Sequence, residues 1–416
     1  MKEKKSEIGY KDIFRQKEYL KLVLAGLISR FGDSVDSLAF TWLVYQVTGS
    51  AAWSAIVFAV NQLPEIVVQP FAGALVEGLP KKRLILGSYL IRGGIVAALA
   101  VLTYADTVTP WILVIFTFMI TTVEAFGLPA GMAIVPMLLP QEYYEYGTSL
   151  KATLSNVVEL VGMALGGVII GAFGIYTAIF IDAATFFGAA VILSLVRLKE
   201  KNEKRERGGA GSYLENLRSG IAYVKEQPVI RNFCLMAVAI NALMVPFNSL
   251  QGPIVSELFG QGPEFLSIMG VVMVLFTVLG SFLFPYVSKR ISVRRMLVGG
   301  GIAMGVGLSL LTIGPFFQGN VFMLYGIGGL SSLVMGAGVS IFMGALNVQF
   351  MKCVSKEYLA RSGAIFNAAA SAAVPATSFL ISALATRFSV GEILMVSALF
   401  CVIIFIYIEI RKVQFE

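Results

Sequence analysis

The stretch Arg30-Phe31-Gly32-Asp33-Ser34-Val35-Asp36 sets three ionisable side chains between largely apolar runs at 20–28 and 38–47. Its length and flanks predict a single membrane-crossing helix. A charge near a bilayer centre costs about 2.5–3.5 kcal/mol on insertion scales, so a chain keeps several together only where they face protein, water or a substrate. Arg30, Asp33 and Asp36 recur at intervals of three, which puts successive pairs on neighbouring parts of one helical face.

The rest of the chain has the composition of a housing for that face. Of 416 residues, 57% are hydrophobic and 14% charged, and the mean hydropathy is +0.81, too apolar for a soluble protein of this size. Twelve apolar stretches follow one another, from 21–46 to 391–410, each of about 20 residues or more and able to cross a hydrocarbon core as a helix. No strand alternation competes with them. The basic N-terminal arm is followed by a long span without a small-residue cleavage site, so a removable signal peptide is not expected. Cys234, Cys353 and Cys401 are far apart and the chain has no histidine, which speaks against disulfides and zinc sites.

A formal charge of +7 raises the question of nucleic acid until the basic residues are located. All of the 32 Lys and Arg except Arg30, Arg92 and Arg387 fall in the termini or in the loops around 78–83, 139–151, 197–231, 288–295 and 351–361. The intervening loops have almost none. This asymmetry predicts cytoplasmic termini in the cell membrane, with the positive charge directed to lipid and not to nucleic acid.

After Arg197 the chain runs through a charged and then glycine-rich segment that reads as a solvated linker. Ser212 and Glu215 form a capping box for a short interfacial helix within it. Arg15-Gln16-Lys17, Lys81-Lys82-Arg83 and Glu142-Tyr143 reappear as Glu226-Gln227-Pro228, Val293-Arg294-Arg295 and Glu357-Tyr358, at offsets of about 211, 212 and 215. A duplicated six-helix unit follows, as in transporters built from parallel halves. The expected organisation is an N-terminal bundle at 1–197, a cytoplasmic linker at 198–228 and a C-terminal bundle at 229–416.

Ionisable residues are shared unequally between these halves. The first holds Arg30, Asp33, Asp36, Glu65, Arg92, Glu124, Glu159 and Asp182 within spans, whereas the second offers Asn241, Asn248, Gln251, Asn347, Gln349 and Asn367. Burial favours the neutral form of a carboxyl, so such acids can trade a proton for a cation. Asp33 and Asp36 carry the strongest claim, against the plainer reading that they merely pair with Arg30. Asn61 and Glu65, one turn apart, and Glu124 come next. Glu159, Arg92 and Asp182 read as readily as structural or snorkelling residues. The runs Gly326-Ile-Gly328-Gly329 and Gly299-Gly300-Gly301 lack the strand and lysine of a phosphate loop and suit close helix packing instead.

At this point the sequence resembles the major facilitator superfamily, and within it the branch of macrolide-efflux pumps and enterobactin exporters. The resemblance lies in Gly32-Asp33, in Trp42-Leu43-Val44-Tyr45-Gln46-Val47-Thr48-Gly49-Ser50, in Leu63-Pro64 and in Gly73. The loop from Gly73 to Arg83 looks like the superfamily's signature between spans two and three, with Glu77 in place of the usual aspartate, Gly78 of a basic residue and Pro80 of glycine. Gly162-Met163-Ala164-Leu165-Gly166-Gly167 resembles an antiporter motif, with Met163 where proline is usual. The resemblance implies an all-α membrane protein of twelve transmembrane helices in two six-helix pseudo-symmetric bundles, with spans one, four, seven and ten lining the cavity.

The expectation from residues and resemblance together is a monomeric, non-enzymatic secondary exporter of amphipathic, cationic drugs or metabolites, driven by proton antiport and needing no cofactor or metal. Asp33, Asp36 and Glu65 are the candidate proton-coupling residues. Arg30, Asn61, Glu124, Asn241, Asn248, Asn347 and Gln349 are candidates for substrate binding, and Glu77, Lys81, Lys82 and Arg83 for gating. Two alternatives remain: an exporter of siderophores or lipid-like compounds, for which the arginines would matter more, and a membrane sensor or scaffold that does not transport.

Overall fold

The structure, a computed structural model, describes residues 10–76, 79–198, 226–354 and 359–411. The predicted interfacial helix beginning at Ser212 and the gating candidate Glu77 lie outside the described residues. Among those described, the regular structure is helical throughout, without a strand.

The long helices of the first half are α1 (Lys17–Thr48), α2 (Ala51–Val67, continued as Gln69–Val76), α3 (Lys81–Tyr104), α4 (Pro110–Ala133), α5 (Tyr144–Phe173) and α6 (Ile175–Ser194). Those of the second are α7 (Pro228–Ser249), α8 (Pro263–Val287), α9 (Val293–Leu311), α10 (Val321–Cys353), α11 (Leu359–Leu384) and α12 (Val390–Ile410). Ten helices among the described residues are long and apolar enough to cross a membrane. The two that fall short do so for identifiable reasons. In α1, Arg30, Asp33 and Asp36 interrupt the apolar run; α2 is broken at Val68, between Pro64 and Pro70, where proline removes backbone donors from the ladder.

Side-chain exposure is that of a protein bathed in lipid. Trp111, Phe282 and Phe322 are 66%, 73% and 85% exposed, and many other large apolar side chains join them. In water such a surface would be an aggregation hazard, whereas hydrocarbon solvates it without cost.

The chain divides into two compact units, Met1–Phe40 with Leu63–Arg205 and Thr41–Gln62 with Glu206–Glu416. In the first, α3 packs on α4 and α6, the second piece of α2 on α4, and α5 on α6. Leu22, Ile85, Ile134 and Leu193 belong to one of its buried clusters, and Ile13, Tyr19, Val23 and Leu139 form another that anchors the N-terminal turn. In the second unit, α9 packs on α10 and α12, α8 on α10, and α7 on α11, around a core that includes Phe233, Met296, Phe342 and Phe405. Here Gly300 and Gly301 show their use, whereas a Cβ on Gly299, Gly326 or Gly329 would meet nothing. A Cβ on Gly300 would stand 2.8 Å from the carbonyl oxygen of Gly338, so α9 and α10 cross backbone to backbone, and Gly301 lies against the Phe405 ring of α12.

Candidate functional site

Small residues place the charged stretch of α1. On one side it meets Gly162 and Gly166 of α5: a Cβ at Gly162 would come within 2.7 Å of the Ser34 Cβ, and one at Gly166 within 3.0 Å of the Leu38 side chain. On the other side Gly32 faces α6 so closely that a Cβ there would collide with Thr185 Oγ1 and Asp182 Oδ1. The absence of a side chain at 32 therefore brings the Asp182 carboxyl alongside the α1 backbone, next to Asp33 and one turn from Asp36.

Arg92 is the centre of the site. It stands midway along the 24-residue α3, about 17 Å from either end at 1.5 Å per residue, which is beyond the reach of a snorkelling side chain. Its side chain is 10% exposed. Nη2 donates to Asp33 Oδ1 at 2.9 Å and lies 3.5 Å from Glu124 Oε2 of α4, while the guanidinium sits 4.3 Å from the centroid of the Phe186 ring on α6. Ser29 Oγ donates to the second Asp33 oxygen at 3.3 Å. Three helices thus converge on one cation, with an aromatic face from a fourth.

The remaining acids surround this pair. Asp36 and Asp182 interact electrostatically with each other, with Asp33 and with Arg92, and Glu65 interacts with Glu124. Asp182 is 2% exposed, and Thr185 Oγ1 donates to its Oδ1 at 3.3 Å. Asp36 Oδ1 and Arg92 Nε are buried without a hydrogen-bond partner among the described residues. Four carboxyls, those of Asp33, Asp36, Glu124 and Asp182, therefore gather around the Arg92 guanidinium. Such a site lacks positive charge and can accept a proton or a cation. Among the described residues no group of His, Cys, Asp and Glu is arranged to hold a metal ion.

The expected pairing of Arg30 with its neighbours on α1 is corrected. Arg30 Nη2 reaches Glu159 Oε2 of α5 at 2.6 Å, because α5 packs close at Gly162 and offers an acid there, and this pair neutralises itself. Arg92, read from the sequence as structural or snorkelling, takes the place assigned to Arg30, and Asp182 joins the cluster. Position was the missed signal for Arg92: an arginine in mid-span, followed by Gly93-Gly94, has no route to water along its own helix.

Among the other candidates, Asn61 is half-buried, Glu65 exposed, and Asn248 and Asn347 exposed. Asn241 Nδ2 donates to Ala237 O at 2.9 Å and Gln349 Nε2 to Cys353 Sγ at 3.7 Å, both along their own helices. Of the gating candidates, Lys82 Nζ donates to Ser194 O and Val196 O, each at 2.7 Å. Lys21 Nζ donates to Leu195 O at 3.1 Å, and Glu18 Oε2 accepts from the Arg197 N–H at 2.6 Å. Two ammonium groups thereby satisfy the free carbonyls at the C-terminus of α6, where the helix dipole is negative. Lys81 Nζ donates to Leu79 O at 3.0 Å, and Arg83 is exposed.

Residues 12–416 match a family described as transmembrane secretion effector. Macrolide efflux protein A of Streptococcus pyogenes is 22% identical over 396 residues, covering 94% of this chain and 95% of that protein. Multidrug efflux pump Tap of Mycolicibacterium fortuitum is 26% identical over 307 residues, or 71% of this chain and 73% of that one. In fold, the chain superposes on the crystal structure of the nucleoside transporter NupG with a TM-score of 0.76 over 94% of this chain and 98% of that one, at 12% identity.

Proposed function

Since the chain belongs to the transmembrane secretion effector family of the major facilitator superfamily, whose members are transporters and not enzymes, we propose that it exports amphipathic cationic small molecules, drugs among them, in exchange for protons. The observation that carries this reading is the cluster of four carboxyls around Arg92 in the first unit. Held by so little positive charge, it gains from a cation or a proton and disfavours both together. Competition of this kind couples the two fluxes when the site is exposed to one side and then the other. The names of the relatives, a macrolide efflux protein and a multidrug efflux pump, support the export of drugs.

In this reading α1 and α2 cross the bilayer with the ten helices of sufficient length and apolarity, making twelve spans with both termini cytoplasmic in the cell membrane. The two halves are 1–197 and 229–416, joined by 198–228. Their relation is supported by the helix pairings: α3 with α4 and α6, and the second piece of α2 with α4, recur six helices later as α9 with α10 and α12, and α8 with α10. Asp33, Asp36 and Glu65 take part in coupling transport to protons, Glu124 meets the cationic end of the substrate, and the amides Asn61, Asn241, Asn248, Asn347 and Gln349 meet its polar groups. Lys81, Lys82 and Arg83, with Glu77, stabilise one access state at the cytoplasmic ends of the helices.

The test is transport by the purified chain in liposomes under an imposed pH gradient, with erythromycin, tetraphenylphosphonium and an anionic catecholate siderophore as probes. Accumulation of the two cations that collapses with the gradient is expected. Arg30, half-exposed beside Glu159, is the feature that favours an anionic substrate, and transport of the siderophore alone would move the assignment to that class. Binding without transport of any probe would support a sensor.

A further inference from the structure

Resting on the antiport reading above, we propose that Asp182 of α6, together with Asp36 of α1, holds the exchanged proton, and that Arg92 displaces it when a cation arrives. The cluster has two sides. Asp33 and Glu124 already engage Arg92, at 2.9 and 3.5 Å, and retain 28% and 37% of their side-chain exposure, so they face the entering substrate. Behind them Asp182 is 2% exposed and Asp36 Oδ1 is buried and unpartnered. A buried Asp182 carboxyl beside the buried Asp36 Oδ1 disfavours double ionisation, and sharing one proton is the economical state.

The orphaned groups are complementary. Arg92 Nε is a buried donor without a partner, and Asp36 Oδ1 a buried acceptor without one, in the same cluster. An unmet donor and acceptor are costly to bury, and a pairing of the two would satisfy both. The exchange then balances. A substrate cation takes Asp33 and Glu124, Arg92 turns its Nε edge to Asp36 and Asp182, and the proton shared by those two leaves to water. One positive charge enters the cluster and one departs, and the only covalent bond broken is a carboxyl O–H. The groups facing Asp182 are Asp33 and Asp36 from α1, Arg92 from α3 and Thr185 on its own helix, and Arg92 in turn interacts with Tyr89 of α3 and Glu124 of α4. Gly32 makes the arrangement possible, since a side chain there would drive α6 and its carboxyl away from α1.

The experiment measures proton release into weakly buffered detergent solution when tetraphenylphosphonium binds. This probe is permanently charged, so released protons come from the protein. The parent should release roughly one proton per bound probe, by linkage. Asp182→Asn should bind the probe and release none, and Asp182→Glu should restore release with a displaced pH profile, which a merely structural role would not produce. Release by Asp182→Asn equal to that of the parent would overturn the assignment. If Asp182→Asn does not fold, infrared difference spectra decide the matter. Probe binding should remove a protonated-carboxyl band in the parent, Asp182→Glu should move that band, and an unmoved band would overturn the proposal. A parent that binds the probe without releasing a proton would instead refute antiport itself, and this assignment with it.

Discussion

Replacing Arg92 by glutamine removes the one guanidinium that Asp33 and Glu124 share, and the expected cost can be worked from the geometry. Breaking a buried ion pair by deleting one partner costs about 3–5 kcal/mol, because the other charge is left uncompensated. Here the partners keep 28% and 37% of their side-chain exposure, so water reaches them in part and the expectation falls to about 2–4 kcal/mol. The contact with Phe186, at 4.3 Å, adds about 0.5–2 kcal/mol. In detergent the apparent melting midpoint should drop by on the order of 5 °C. In the double variant with Asp33→Asn, the combined loss should fall short of the sum of the single losses by about 1 kcal/mol or more. An Arg92→Gln protein that melts with the parent, or losses that simply add, would refute the central place given to Arg92.

Three further outcomes follow from the same contacts. Glu124→Gln should weaken tetraphenylphosphonium binding by about 5–30-fold, equivalent to about 1–2 kcal/mol for a partly exposed charge pair, while an uncharged probe of similar size is spared; equal binding by variant and parent, measured by fluorescence displacement, would make the carboxyl structural. Lys82→Ala removes both of its bonds to the α6 terminus and should cost about 1–2 kcal/mol locally, seen as faster amide exchange at residues 192–197. Gly32→Ala should disrupt the α1–α6 approach and lower the yield of folded protein, and a variant with the parent's melting midpoint and transport would contradict the close packing described at that position.

The fold was legible because its signals are long-range and additive: hydropathy over about 20 residues and charge over whole loops do not depend on how any one side chain turns. The first two helices were the hardest to define by apolarity alone, and for opposite reasons, α1 because function interrupts it with charge and α2 because proline breaks it. Within the site, residue type was readable and partnership was not. Spacing placed Arg30 beside Asp33 along α1, but side chains on a membrane helix pair across to neighbouring helices, and only packing reveals which neighbour is near. Gly162 brought α5 and Glu159 to Arg30, and Gly32 brought α6 and Asp182 to Asp33 and Asp36. Those glycines, noted in the sequence only as parts of family motifs, carried information about the charges that becomes usable only once the facing helix is known. Conversely, the C-terminal end of α6 at residues 194–197, where Lys21, Lys82 and Glu18 meet, carried no motif of its own, because its contacts are to backbone atoms.

The exchange of a cation for a proton at the first unit's carboxyl cluster is tested most directly by recording both fluxes across the same liposome membrane. Erythromycin accumulation and internal pH would be followed together after a pH gradient is imposed, for the parent and for Asp33→Asn. The account predicts drug and proton movement in opposite directions at a fixed ratio in the parent, with both lost in the variant. Drug movement in the parent that proceeds unchanged without the gradient, or that persists in Asp33→Asn with its proton flux intact, would contradict it.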